Sequence, residues 1–224
     1  IQGGRAPLDL DGLLSFARLL CRVIDFKSAF TATHSSGVAA TSVALSSALG
    51  FSPGDQKLME IAAFLHDLGK LAIPSEILEK PGALTEDERA VMRTHVYYTY
   101  EILQPVPALD LITSWGTLHQ ERLSGSGYPF AFTAEALPLG ARVMAVADVF
   151  TAITEDRPYR PGMSKEDALG VLFAMADEDE LDKNVVAVLA ERFDEINRVR
   201  AAAQNAAAVA YDAFHRTLQE QGAA

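Results

Sequence analysis

Apolar positions recur at helical spacing along nearly the whole chain. Leu10, Leu13, Leu14, Ala17, Leu20, Val23 and Ile24 predict a first helix from about Leu8 to Phe30. Val38, Ala39, Val43, Leu45 and Leu49 predict a second that ends near Gly50. Asp55 opens a third, whose Leu58, Ile61, Ala62 and Leu65 run toward His66, with Gly69 placed to stop it. Thr85 followed three residues later by Glu88 has the form of a capping box, so a helix is expected from about Glu86 to Leu103 with Val91, Met92, His95 and Ile102 inward. Pro105 and Pro107 break the chain before a helix from about Leu109 to His119. After the turn-rich segment 124–129, Pro138 begins a helix carrying Arg142, Val143, Val146, Ala147 and Phe150, and Ser164 with Asp167 caps the next. From Asp182 to about Leu218 the chain is Ala-rich and helical in propensity, packing through Val185, Val186, Leu189, Phe193 and Ile196. No alternating strand pattern of useful length is present. The expectation is an all-α bundle forming one domain over residues 1–224, with a motif-bearing core at about 25–196 and a helical extension at about 197–224.

Composition adds limits. With 224 residues, 49% of them hydrophobic and 22% charged, the chain can bury a core and is not a disordered or disulfide-stapled type. Its single cysteine, Cys21, excludes an intramolecular disulfide and reads as a buried, inert thiol. Nineteen basic residues against 30 acidic give a net charge of −11, which argues against nucleic acid or an anionic membrane as partner. A phosphate-bearing substrate would need local cations. The run from Ser28 to Gly54 carries no Asp, Glu, Lys or Arg, yet ten of its residues are Ser or Thr, so it reads as a buried helix and not a membrane span. Without a basic-then-apolar start, a cytoplasmic address is expected, and the opening at Ile1 suggests a piece of a longer protein with an upstream sensory domain.

The chemistry concentrates in few residues. Of five histidines, His34, His66, His95 and His119 sit beside or within helices expected to face the core. A lone core histidine is more often a hydrogen-bonded structural residue, but four together point to metal, and His66-Asp67 offers imidazole and carboxylate in adjacent positions. Asp148 lies among Val146, Ala147, Val149 and Phe150, where an ionised carboxylate needs a cation or donors; the alternative is a structural cap. Lys70, about one turn beyond His66, is either a surface lysine or close enough to meet a phosphate. No P-loop sequence is present, Gly125-Ser126-Gly127 lacks the helix of a dinucleotide fingerprint, and the acidic run 177–180 reads as a solvated loop.

In order, His34-Ser35, His66-Asp67-Leu68-Gly69-Lys70, Lys80-Pro81-Gly82, His95, His119-Gln120-Glu121-Arg122, Gly127-Tyr128-Pro129, Ala147-Asp148 and Arg157-Pro158-Tyr159-Arg160 resemble the HD-GYP domain, a subset of the HD phosphohydrolases. The resemblance spans roughly Asp25 to Phe193. It implies an HD-type helical bundle and a metal-dependent phosphodiesterase that opens cyclic di-GMP to linear pGpG, in some members continuing to GMP. It further implies two divalent ions, Fe or Mn before Zn, Ni or Mg. His34, His66, Asp67 and Asp148 match the ligands of one ion and Asp67, His95 and His119 those of the other. Asp67 would bridge them and Lys70 would contact a phosphate; these two carry the catalytic role. Tyr128 belongs to the signature loop, and Arg157 and Arg160 suit a nucleotide. Diguanylate cyclase (GGDEF), sensor or receiver domains are the implied partners, and a homodimer is admitted.

The departures from the family pattern are specific. Gln120 stands where a second histidine is usual, and Phe30 where three-metal members place Glu, so two ions are expected and not three. Ser124 replaces the usual Asp of the signature loop, and Gly37 stands where Arg is common after His-Ser. Two other readings therefore stay open: a slow or inactive metal-loaded receptor for the nucleotide or a protein, and a hydrolase of another cyclic dinucleotide.

Overall fold

Side-chain hydrogen bonds fix the starts of four helices. Ser52 accepts from the Asp55 amide and Pro53 occupies the first turn, so the third helix begins two residues before the expected Asp55. Thr85 and Glu88 make both bonds of the capping box. Ser164 caps through the Asp167 amide, and Asp182 through the amides of Asn184 and Val185.

The structure, a computed structural model, describes residues 9–27, 33–156 and 160–222. Among them the order is α1 (Leu10–Lys27), α2 (His34–Ala48), α3 (Pro53–Leu65), a 3₁₀ turn (Leu68–Ala72), α4 (Ser75–Leu78), α5 (Glu86–Leu103), α6 (Asp110–Thr117), α7 (Leu139–Thr154), α8 (Lys165–Asp177), α9 (Lys183–Glu191) and α10 (Phe193–Gly222). No strand occurs among the described residues beyond an isolated bridge between Ser124 and Thr133, so the all-α expectation holds. No described helix is long and apolar enough to cross a membrane.

Helix α2 is the hub, packed by α3, α7 and α10. Its buried face is built mostly of small residues, Gly37, Ala39, Thr41, Ser42 and Ser46, which let neighbouring backbones approach closely, with Val38 and Leu45 reaching into the core. Behind it Met59, Ile61, Met144, Phe150, Leu172, Leu189 and Ile196 form one continuous core, with Phe150 meeting Phe193 edge-on at 5.4 Å. Each such side chain contributes on the order of 1.5–3 kcal/mol by leaving water.

Four expectations are corrected. In α1, Leu10 and Val23 are exposed, whereas Leu14, Ala17 and Ile24 lie inside together with Cys21, the expected buried thiol; residues 28–30 of the expected helix lie outside the described residues. In α5 the inward stripe is His95, Val96, Thr99 and Leu103, which meets chiefly the 3₁₀ turn and α6; Val91 and Ile102 face outward. The tail is two helices that break at Arg192. Gly69 does not end a helix: it lies within the 3₁₀ turn, where an added Cβ would stand 1.9 Å from the His95 carbonyl oxygen. Its missing side chain is what lets this turn touch α5.

Candidate metal centre

Six elements converge. His34 opens α2, His66 caps the C-terminus of α3, and Asp67 follows at the entry to the 3₁₀ turn that carries Lys70. His95 comes from the middle of α5, His119 from just past α6, and Asp148 from α7. All four histidines and Asp67 are buried.

Two groups result, His34-His66-Asp67 and Asp67-His95-His119, within each of which ligand atoms lie within 4.8 Å of one another. Asp67 is common to both. Its Oδ2 lies 3.1 Å from His66 Nε2 and its Oδ1 3.1 Å from His95 Nε2, so its two oxygens face two different imidazoles. Lys70 Nζ donates to Asp67 Oδ2 at 2.5 Å. Asp148 stands beside the first group: His34 Nε2 lies 3.0 Å from its Oδ1, and Gln120 Nε2 donates to its Oδ2 at 3.0 Å. The position where the family pattern has a second histidine thus serves here as a hydrogen-bond donor to a carboxylate. Phe30 lies outside the described residues.

The tautomers follow from the partners. Nδ1 of His66, His95 and His119 meets the carbonyl oxygens of Ala63, Met92 and Gly116 at 2.7, 2.6 and 2.6 Å. A carbonyl only accepts, so each Nδ1 carries a proton, and in the neutral ring that a cation binds each Nε2 presents a lone pair. These three Nε2 atoms are buried and have no hydrogen-bond partner. Buried polar atoms are normally satisfied, and three orphaned acceptors around one carboxylate are the donor set of a cation site. The residues present therefore fit a divalent metal.

Electrostatics agree with that fit. Burial opposes ionisation of Asp67, but in the metal-free site the positive charge of a protonated His66 and of the Lys70 ammonium outweighs it and holds the carboxyl well below the usual carboxylate range. Asp148 is likewise held low despite burial, chiefly by its hydrogen bond from His34. Burial, reinforced by His66, pushes the His119 imidazole down to about 3, so it is neutral.

His34 behaves oppositely. Burial disfavours its charge, but hydrogen bonds with Asp148 and Glu155 on its two nitrogens prevail and raise it to about 9. Its folded-state value lies above the ordinary 6.5, so its contribution to metal-free stability is fully present below pH 6.5 and is lost as pH rises through about 9. Unfolding measured against pH should therefore show the metal-free wild type losing stability across that window relative to His34→Asn. A pH-independent difference would contradict the buried imidazolium. A cation taken up at Nε2 must displace this proton.

The signature loop is held from below. Buried Glu121 accepts from the Phe130 and Phe132 amides at 2.8 and 3.0 Å, and the Tyr128 amide donates to the Gln120 carbonyl at 3.2 Å. A Cβ on Gly127 would meet backbone atoms of Glu121 and Arg122 at 2.4 Å, so only glycine fits. Tyr128 is partly buried beside the Arg93 guanidinium, 5.2 Å from its ring, and burial together with the Asp148 and Asp67 charges pushes its hydroxyl up to about 12. The exposed acidic run contributes a backbone carbonyl, Asp179, to the Ser124 amide at 2.7 Å. Arg160 donates to the Ala152 carbonyl at 2.9 Å, and Arg157 lies outside the described residues.

Sequence reasoning missed Glu121 and Glu155. A signal existed for the latter: Glu155 follows Asp148 by seven residues, about two helical turns, which brings it back to the same side just past the end of α7.

A helical bundle that gathers His, His-Asp, His, His and Asp from successive elements defines a class. The chain belongs to the HD-domain family, whose family model matches residues 18–185, and it carries the HD-GYP motifs of that family. It is 37% identical over 182 residues to a 3′3′-cGAMP-specific phosphodiesterase 1 of Vibrio cholerae, covering 81% of this chain and 42% of that protein. It is 40% identical over 159 residues to a cyclic di-GMP phosphodiesterase response regulator of Xanthomonas campestris, covering 69% of this chain and 42% of that one. The chain thus spans about two fifths of the length of these relatives. In fold it is similar to an HDG"Y"P protein of Bdellovibrio bacteriovorus, with a TM-score of 0.60 at 18% identity over 84% of this chain and 65% of that one.

Proposed function

We propose that this domain is a metal-dependent phosphodiesterase acting on cyclic dinucleotides, with cyclic di-GMP opened to linear pGpG, and in further turnover to GMP. The observation that carries the reading is the set of three orphaned imidazole nitrogens around the shared Asp67. The names of the relatives support the substrate class, and because they include both cyclic di-GMP and 3′3′-cGAMP, the second nucleotide is the alternative substrate.

In this reading His34, His66, Asp67 and Asp148 would hold one divalent ion and Asp67, His95 and His119 the other; the family resemblance favours Fe or Mn, while the mixed imidazole and carboxylate set accepts Fe, Mn and Zn alike. Bound there, the pair supplies Lewis acidity toward a phosphoryl oxygen and a water acidic enough to attack near neutral pH. The chain's own groups do the rest. Asp67 orients both halves of the site through its two oxygens. Lys70, partly exposed beside Asp67, brings a positive charge to where a phosphate would sit and stabilises charge that develops there. Tyr128 lies on a loop braced by Glu121, and by the family resemblance Arg157 and Arg160 would hold the nucleotide. Local cations thereby reconcile a chain of net charge −11 with an anionic substrate.

The test is purification without oxygen, loading with Mn or Fe, and chromatography of cyclic di-GMP and 3′3′-cGAMP after incubation. Linear product from either is expected, with cyclic di-GMP faster. Binding of the nucleotide without conversion would replace the enzyme with a receptor.

A further inference from the structure

Three of the four buried histidines anchor Nδ1 on a carbonyl three residues earlier in their own chain segment. His34 does not. It is the first residue of α2, and its Nδ1 meets a side chain, Glu155 Oε2, at 3.1 Å across 121 residues of sequence. That same oxygen accepts from Gln204 Nε2 of α10 at 3.0 Å. Gln204 Oε1 in turn accepts from the Arg200 guanidinium, whose Nε donates to Asn197 Oδ1 at 2.9 Å. Arg200 and Gln204 are both buried.

The direction of this chain is set by chemistry. A guanidinium only donates, so Arg200 fixes which end of the Gln204 amide is oxygen and turns the NH₂ toward Glu155. A donated hydrogen bond there holds the carboxylate in place and leaves it to accept from His34 Nδ1. With Nδ1–H so engaged, Nε2 is aimed at Asp148 and at the shared centre. An outer partner of this kind fixes ring orientation and raises ligand basicity.

Gly37 belongs to the same arrangement. A Cβ there would stand 2.9 Å from Gln204 Cδ and Nε2 and 2.8 Å from Thr151 Cγ2. The space next to His34, where the family pattern has an arginine, is taken by the amide that α10 delivers. Arg200 and Gln204 lie beyond residues 18–185, the span matched to the HD domain.

We propose that Arg200 and Gln204 are positioning residues for the metal centre: α10 holds Glu155, and through it His34, in the orientation that presents Nε2 to a cation. The inference rests on the proposed metal centre and adds to it a control point on the C-terminal helix.

The experiment is Mn²⁺ titration followed by calorimetry on the whole chain, with wild type, Gln204→Met, Arg200→Met, Glu155→Gln and the Gln204→Met/Glu155→Gln pair, each checked for native helicity. Gln204→Met nearly conserves volume, and Arg200→Met keeps the aliphatic stem, so folding should survive. Expected is a loss of ~10–100-fold in affinity at one cation site, the other unchanged, in each single variant. The double variant should be no weaker than Glu155→Gln alone, because Gln204 acts through Glu155. Wild-type affinity at both sites in folded Gln204→Met and Arg200→Met would overturn the inference while leaving the metal centre standing. Losses that multiply in the double variant would also overturn it, since they would mean that α10 acts through packing. A wild type that takes up no Mn²⁺ would overturn the underlying reading and this one together.

Discussion

Asp67→Ala should abolish turnover, by ~10³-fold or more, and release bound metal without unfolding the chain. Asp67 is the one carboxylate common to both ligand groups, with one oxygen toward His66 and the other toward His95. Removing it deletes a buried negative charge from both groups at once and leaves Lys70 without the carboxylate 2.5 Å away that orients it. Lewis-acid stabilisation is worth several kcal/mol, and each 1.36 kcal/mol is a factor of ten in rate. Asp67→Asn is the sharper control, since it keeps the shape and removes the charge. Metal content, thermal unfolding and product formation measured on the same preparation check the expectation. Undiminished turnover in Asp67→Ala would remove the bridge from the mechanism.

Gly69→Ala is the second large effect, and here the cause is steric. The added Cβ would lie 1.9 Å from the His95 carbonyl oxygen, 2.7 Å from the Thr99 amide nitrogen and 2.9 Å from the His95 carbonyl carbon. All three are backbone atoms of α5, which cannot rotate aside as a side chain could. Thr99 also ties the two segments together, accepting from the Gly69 amide at 2.8 Å and lying 3.1 and 3.0 Å from the carbonyls of His66 and His95. Overpacking costs roughly 1–3 kcal/mol where neighbours can adjust, and a backbone clash should reach or exceed the top of that range. The shift would also move His95 away from Asp67, so metal retention should fall with stability. Urea unfolding together with metal analysis reads both. A variant as stable and as metal-rich as wild type would show that the turn does not need this close approach.

The parts legible in the sequence were those written locally. Capping at Thr85 and Ser164 placed two helix starts, and the small-residue run around Val38 and Leu45 announced a buried helix without a membrane span. The four histidines stood out because an imidazole in an apolar setting demands a partner, and all four proved buried and adjacent. What sequence periodicity did not reveal depends on which neighbour each helix meets. Helix α5 is covered along a narrow stripe, so Val91 and Ile102, apolar but outward, misled the face assignment. Gly69 read as a terminator because glycine's usual role at helix ends is local, whereas its reason here is the carbonyl of His95, 26 positions along the chain. Glu155 and Gln204 hydrogen-bond across 49 residues, and only the docking of α10 onto α2 brings them together. A trace was present in α10 itself, where Arg200 and Gln204 continue the buried stripe begun by Ile196 at four-residue steps.

The central claim is that one buried carboxylate and the surrounding imidazoles hold a pair of divalent ions. Metal-to-protein ratio, determined by mass spectrometry on chain purified without oxygen and loaded with Mn or Fe, addresses it directly. The account predicts about two ions per chain in the wild type, falling sharply in Asp67→Asn, as expected for a shared ligand. A wild type that retains no metal after loading, or a ratio unchanged in Asp67→Asn, would contradict it.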